Sequence, residues 1–105
     1  MDKLDHIKQA INRPNLTKSE KIEIIQTHIN DNSKSFLQTL VDRKIINSIE
    51  TAVEDLHENN FSSCADDTAC KLILQETVVW LRAKSKEDAV NLRFDMDFHQ
   101  GAAMA

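Results

Sequence analysis

The sequence predicts an all-α protein, a compact bundle of four to five helices with no significant sheet. Glycine and proline each occur once among 105 residues, whereas sandwiches and barrels need a turn residue roughly every 8 to 12 positions. Apolar residues instead recur at three- and four-residue spacing. The length supports one domain, which we place at residues 1–100, followed by a disordered tail at residues 101–105.

Two helices with clear capping signals are predicted first. Asp2 can cap the first helix, and NRPN ends it because proline disfavours helical geometry in the residue before it. Thr17 and Glu20 belong to a TKSE capping box that opens the second helix, which NDNS closes. The apolar stripes are Leu4, Ile7 and Ile11 in the first helix and Ile22, Ile25 and Ile29 in the second.

Two longer helices are predicted in the middle of the chain. The third should run from Ser33 or Ser35 to about Glu58, where ENNFSS interrupts the pattern. The fourth should run from about Ala65 to Ala83, and because it is apolar almost all round, we expect it to be the most buried helix. The residues expected to be largely buried are Ile45, Ile49, Leu72, Ile73, Val79 and Trp80.

The segment RFDMDFHQG, residues 93–101, fits more than one structure. Apolar and polar residues alternate as in a strand, yet Val90, Phe94 and Phe98 are also four residues apart, as on a helix face. A lone strand would be unstable without an edge to pair with. We therefore favour a fifth helix, opened by SKED and ending near Gly101, over a strand added to a partner or an irregular docked tail.

The two cysteines are expected to be reduced. Cys64 and Cys70 lie six residues apart, which on one continuous helix is about 240° round the axis and roughly 9 Å along it. That separation does not allow a disulfide. Since the chain also shows no apolar run of signal-peptide or membrane-span length, we expect a cytoplasmic protein.

No motif for catalysis is present. The chain lacks HExxH, a second Glu-x-x-His, a glycine-rich phosphate loop and a nucleophile elbow. Asp95, Asp97 and His99 share one face only in an extended strand, so on a helix they cannot hold one metal ion. We therefore expect no enzyme, no cofactor and no metal.

Two further candidate sites have simpler explanations. Glu54, His57 and Glu58 share one helix face, as a metal site or an acid–base pair would require, but helix-surface charge accounts for them. The segment NLTKSEKIEII is similar to the opening of some helix-turn-helix domains, but the capping box explains those letters. A net charge of −4 lacks the electrostatic footprint of a nucleic-acid partner.

Charge is distributed unevenly along the chain. Residues 1–52 carry eight Lys/Arg against seven Asp/Glu, and residues 53–105 carry five against ten. Asp66 and Asp67 should lie in the first turn of the fourth helix, where the helix dipole favours acids. Glu54, Asp55 and Glu58 should lie at the end of the third helix, where the dipole disfavours acids. An acidic surface that folding does not require indicates a basic partner, although a need for solubility alone would give the same composition. The candidate partner-binding residues are Glu54, Asp55, Glu58, Asp66, Asp67, Asp95 and Asp97.

These patterns favour a small acidic protein-binding module. The sharpest hypothesis is a bacterial inhibitor or immunity-type protein that neutralises a basic toxin or nuclease by covering its active site. The alternative is a helical adaptor or regulatory protein that dimerises through the helix containing Trp80, and a helix-turn-helix regulator ranks third. The expected partner is another protein with a basic surface or a second copy of the chain, with no nucleic acid and no membrane.

Overall fold

Residues 2–104 fold into five α-helices joined by short connections. The computed structural model describes the backbone of residues 2–104 and the side chains of residues 2–87. The part of the chain described contains no β-strand, in agreement with the all-α fold class predicted. The elements are α1 (Lys3–Ile11), α2 (Lys18–Asp31), α3 (Ser33–Asp42), α4 (Ala52–Glu58), one 3₁₀ turn (Ser62–Cys64) and α5 (Thr68–Met104).

The first two helices begin where their capping residues predict. The Asp2 carboxylate accepts a hydrogen bond from the Asp5 backbone N–H at 3.0 Å, which caps α1. The Thr17 Oγ1 accepts from the Glu20 N–H at 3.2 Å and donates to the Glu20 carboxylate at 3.1 Å. The Glu20 carboxylate therefore accepts from the Thr17 hydroxyl, whereas in the usual capping box it accepts from the backbone N–H of the N-cap residue.

The predicted third helix is divided into α3 and α4, because α3 ends at Asp42. Lys44 adopts a left-handed conformation (φ 61°), and its N–H donates to the Val41 carbonyl while the Ile45 N–H donates to Leu40. This is the Schellman arrangement that commonly ends a helix. Leu40 and Ile45 both belong to the buried core cluster, as expected for the two positions whose hydrophobic contact accompanies the motif.

The fourth and fifth helices predicted form one continuous helix, α5, of 37 residues. The predicted break at SKED does not occur, and α5 also continues past Gly101 to Met104. Residues 93–100 are helical in backbone, as the four-residue spacing indicated. A Lys84–Glu87 ion pair one turn apart stabilises the helix where the break was expected. Among the described helices, none is long and apolar enough to cross a membrane.

Helices α2 and α5 pack parallel to each other. The Gln26 side chain donates to Glu76 at 2.8 Å, and Trp80 Nε1 donates to Asn30 Oδ1 at 3.2 Å. Both contacts join residues separated by 50 positions. A constant separation means that the two helices advance in the same direction, so their N-terminal turns lie at the same end of the bundle.

Each helix contributes buried apolar residues to the hydrophobic core. Ile73 and Ile45 are buried as predicted, but Leu72 and Trp80 are only partly buried. Val79 and Ile49 are 52% and 41% exposed, so their predicted burial is wrong. The buried apolar residues are Leu4, Ile7, Ile11, Ile25, Ile29, Phe36, Leu37, Leu40, Ile45, Ile46, Ala52, Leu56, Cys64, Cys70, Ile73, Leu74 and Val78.

Candidate functional site

Asp55, a predicted binding residue, accepts hydrogen bonds from the loop that precedes α4. Its Oδ2 accepts hydrogen bonds from the Asn47 backbone N–H at 2.8 Å and the Thr51 hydroxyl at 2.9 Å. The Asn47 hydrogen bond is the main reason that the pKa of Asp55 lies below its ordinary value. Asp55 therefore has an intramolecular role that sequence spacing did not reveal.

Asp67 also forms intramolecular contacts that stabilise the fold. Its Oδ1 accepts from the Cys70 N–H at 3.0 Å, which caps α5, and its Oδ2 forms an ion pair with Lys8 of α1. The Lys8 hydrogen bond, followed by the one from Cys70, lowers the pKa of Asp67. Since α5 begins at Thr68, Asp67 precedes the helix, and the prediction that it lies in the first turn is wrong by one residue.

Cys64 and Cys70 form a disulfide, so the prediction of reduced cysteines is wrong. Their Cα atoms are 5.5 Å apart. Cys64 ends the 3₁₀ turn and Cys70 lies in the first turn of α5, so the two residues are not on one continuous helix. Between them the chain reverses through Ala65, whose φ of 50° lies in the left-handed region. Both cysteines are buried, and the disulfide joins the core to the start of α5.

Three glutamates form the acidic surface around α4. Glu50, which sequence reasoning missed, lies just before the helix, and Glu54 and Glu58 follow at four-residue spacing. All three are exposed. Among the side chains of residues 2–87, none of the three forms an ion pair or hydrogen bond. We refer to Glu50, Glu54 and Glu58 as the α4 acidic face.

The helix boundary changes the electrostatic interpretation of these acids. Glu54 and Asp55 were expected near a helix C-terminus, where the dipole disfavours them, but α4 begins at Ala52 and both lie in its first turn. The dipole therefore favours them. Glu58 is the last residue of α4 and Glu50 lies outside it. The dipole of α4 therefore disfavours Glu58, whereas Glu50 lies just before the N-cap Thr51, near the positive end of the helix.

A groove of about 530 Å³ separates the α4 acidic face from α5. Glu50 and Glu54 line one side, and Arg82 and Lys86 line the other. The opposing charges are not within ion-pair distance in the described part of the chain. The groove therefore has an acidic edge and a basic edge, and the basic edge was not predicted.

An exposed apolar residue lies beside the acidic edge in sequence. Ile49 is 41% exposed and immediately precedes Glu50. Val53, one of the residues that line the groove, is partly buried. Apolar residues surrounded by polar ones are typical of protein–protein contact surfaces.

The remaining predicted acids do not join the α4 acidic face. Asp66 is exposed, precedes α5 rather than lying in its first turn, and has no ion pair or side-chain hydrogen bond among the described side chains. Asp95 and Asp97 lie outside the residues whose side chains the structure describes. Of the seven predicted residues, Glu54 and Glu58 thus lie together on α4. Asp55 and Asp67 instead form hydrogen bonds within the chain.

No set of three His, Cys, Asp or Glu side chains within residues 2–87 is arranged to hold a metal ion. This includes Glu54, His57 and Glu58, although all three are exposed on α4. Asp95, Asp97 and His99 again fall beyond the described side chains.

In comparisons with known proteins, the chain matches no family model, no curated protein and no solved structure.

Proposed function

We propose that this protein is a binding module for a basic protein partner, and that the α4 acidic face is its contact surface. In the most specific form of the proposal, it is an inhibitor or immunity-type protein that covers the active site of a basic toxin or nuclease. The supporting observation is that the three carboxylates of this face are exposed and unpaired among the described side chains.

The contrast with the other acids supports this choice of surface. Asp55 and Asp67 are fixed by hydrogen bonds within the chain. Glu50 and Glu58 have no such bonds, and the helix dipole disfavours Glu58, so these exposed acids contribute little to folding. Charges that folding does not require remain available to attract a partner of opposite charge.

The basic edge of the groove restricts how that partner is oriented. Arg82 and Lys86 would repel a basic surface laid across the whole groove. We infer that the partner contacts α4 and Ile49 and avoids the α5 side. Like charges placed beside a binding face suppress incorrect orientations in this way.

Charge reversal on α4 tests the proposal. A partner is first isolated from the host with the wild-type protein, and its association rate is measured with wild type and with Glu54→Lys/Glu58→Lys. We expect the rate to fall by roughly tenfold or more at low salt, since complementary charge raises association rates by orders of magnitude. The difference should shrink as salt rises, because about 0.15 M salt screens beyond roughly 8 Å.

A matched control separates this surface from net charge. Glu23→Lys/Asp31→Lys makes the same change in net charge at two exposed acids of α2. It should leave most of the association rate intact. Equal slowing by both variants, or no slowing by the α4 variant, would show that the α4 acidic face is not the contact surface. Inhibition of the isolated partner's activity by wild type would then test the inhibitor form.

Val79 supports the alternative function, a dimer formed through α5. It is 52% exposed on a helix of 37 residues, which is far longer than the 14 residues of α2. An exposed apolar residue on a long helix suits pairing with a second copy. Light scattering over a range of protein concentrations distinguishes the two functions, since a stable dimer favours the adaptor and a monomer favours the inhibitor.

A cytoplasmic location is part of the proposal, and the disulfide gives it a direct test. Disulfides in cytosolic proteins are usually transient, whereas those of exported proteins persist. Cells of the host are quenched with acid and treated with an alkylating reagent before lysis. Alkylated Cys64 and Cys70 support the cytoplasm, and a fully protected pair supports an oxidising compartment.

A further inference from the structure

A second groove, lined by basic and no acidic residues, lies between the N-terminal portions of α2 and α5. Its volume is about 420 Å³, within the range of small-molecule sites. Three of the side chains that line it are lysines, and no carboxylate is among them. The lining residues are Lys18, Lys21, Thr68, Lys71, Leu72 and Gln75. We call this the lysine groove.

The three lysines have no counter-charge in the described part of the chain. Elsewhere in the bundle, Lys8 pairs with Asp67, and Arg43 pairs with both Asp2 and Asp5. Lys18, Lys21 and Lys71 form no ion pair and no side-chain hydrogen bond among residues 2–87. The groove thus brings three bases together with no acid among its lining residues.

The position of these lysines is electrostatically unfavourable in the free protein. Lys18 is the first residue of α2, Lys21 is in its next turn, and Lys71 is the fourth residue of α5. Because α2 and α5 are parallel, the positive ends of both helix dipoles lie at this end of the bundle. Cations near helix N-termini lower stability, so the needs of folding do not explain the cluster.

An anion in the groove would remove this unfavourable charge. Three ammonium groups, the Thr68 hydroxyl and the Gln75 amide can all donate hydrogen bonds. Lysine binds phosphate as a compact point charge, and several such charges suit a ligand with more than one phosphoryl group. Leu72, which is partly buried, adds an apolar surface for the organic part of such a ligand.

We propose that the lysine groove binds a small molecule that carries a diphosphate or triphosphate group. The site is separate from the α4 acidic face, so this inference does not depend on the proposed function. An acidic peptide would also be attracted by lysine, but it spreads its charges along a chain. A groove of this size lined by three lysines favours phosphoryl groups that are joined to one another.

Inorganic pyrophosphate is the probe for the test, with binding followed by isothermal titration calorimetry at constant ionic strength. We expect Lys21→Gln/Lys71→Gln to weaken pyrophosphate binding by roughly tenfold or more. The matched control is Lys34→Gln/Lys44→Gln, which removes the same charge from two exposed lysines outside the groove. This control should bind pyrophosphate about as well as wild type.

Thermal melting provides a second readout that does not confuse lost binding with lost folding. Without ligand, the groove variant should melt at the same temperature as wild type or higher, because an unfavourable charge has been removed. Pyrophosphate should raise the melting temperature of wild type and of the control, and not of the groove variant. The proposal is overturned if wild type does not bind millimolar pyrophosphate, if both double variants weaken binding equally, or if a poly-glutamate peptide of equal charge binds more tightly than pyrophosphate.

Discussion

At the scale of single residues, Asp67 joins three parts of the chain. It caps α5 through Cys70, pairs with Lys8 of α1 and lies between the two cysteines of the disulfide. The sequence indicated an acid near a helix N-terminus, because that preference is local. It could not indicate Lys8, which is 59 positions away and is brought close only by the packing of α1 on α5.

Two substitutions of Asp67 should separate its cap from its charge. Asp67→Ala removes the cap acceptor and should lower the free energy of unfolding by about 1 kcal/mol. Asp67→Asn keeps a good N-cap and should lower it less, since a partly exposed ion pair contributes under about 1 kcal/mol. Urea denaturation of both variants measures the two effects.

The pH dependence follows from the lowered pKa of Asp67. The unfolded chain should titrate this carboxyl near pH 3.9. Its contribution to stability is therefore fully present above about pH 4, and it is lost as the pH falls through the lower pKa of the folded state. Asp67→Asn should lose less stability than wild type over that acid range, and Asp66→Asn, at an exposed neighbour, should follow wild type. Parallel curves for all three proteins would contradict the role of the Lys8 pair.

At the scale of elements, α5 shows why an apolar composition does not identify the buried face. Apolar residues surround its first half, so the sequence predicted a central helix. In the structure one face enters the core, with Ile73 and Leu74 fully buried and Val79 on the open side. Which apolar face is covered depends on the neighbouring helices, and periodicity does not contain that information.

Alanine substitutions on the two faces of α5 should differ widely in effect. Ile73→Ala removes a fully buried side chain and should lower the free energy of unfolding by about 2–5 kcal/mol. Val79→Ala removes a half-exposed one and should change it by about 0.5 kcal/mol or less. Thermal or urea unfolding measures both. Similar losses at the two positions would mean that Val79 is covered in solution, as the dimer alternative requires.

The disulfide should stabilise the connection between the 3₁₀ turn and α5. It closes a short loop, with a sequence separation of six, and this constraint on the unfolded chain is worth roughly 2 kcal/mol. Ala65, with a positive φ that is unfavourable for a non-glycine residue, lies within the loop that the disulfide closes. The midpoint of urea unfolding should therefore fall when a phosphine reductant is added.

The control for this prediction is Cys64→Ala/Cys70→Ala, which lacks the bond under all conditions. Its urea midpoint should lie near that of the reduced wild type and should not respond to reductant. A wild-type midpoint that is the same with and without reductant would show that the disulfide does not constrain the fold.

Helix ends were predictable only where their signals are local and specific. Asp2 and the pair Thr17 and Glu20 cap their helices as predicted because each side chain reaches a backbone group within three residues. The end of α3 was missed because lysine at position 44 is not a typical left-handed residue, unlike glycine or asparagine. The SKED segment was misinterpreted because serine caps a helix only where the preceding chain is not already helical.

At the scale of the whole molecule, the sequence indicated helices but not their directions. The parallel relation of α2 and α5 is established by Gln26–Glu76 and Asn30–Trp80, contacts between residues far apart in sequence. The same relation places the lysine groove, whose members come from both helices. Candidate sites within one helix, such as Glu54 and Glu58, were therefore predictable, and sites between helices were not.

Parallel packing of α2 and α5 also has a consequence for the rate at which the chain folds. An antiparallel pair of consecutive helices meets after a short turn closes. Helices α2 and α5 meet only when residues separated by 50 positions have been brought together. The entropy of closing that long loop is lost before the contacts between α2 and α5 form. A bundle of equal length whose helices pack only on their sequence neighbours has lower contact order, so it should fold faster than this chain at equal stability.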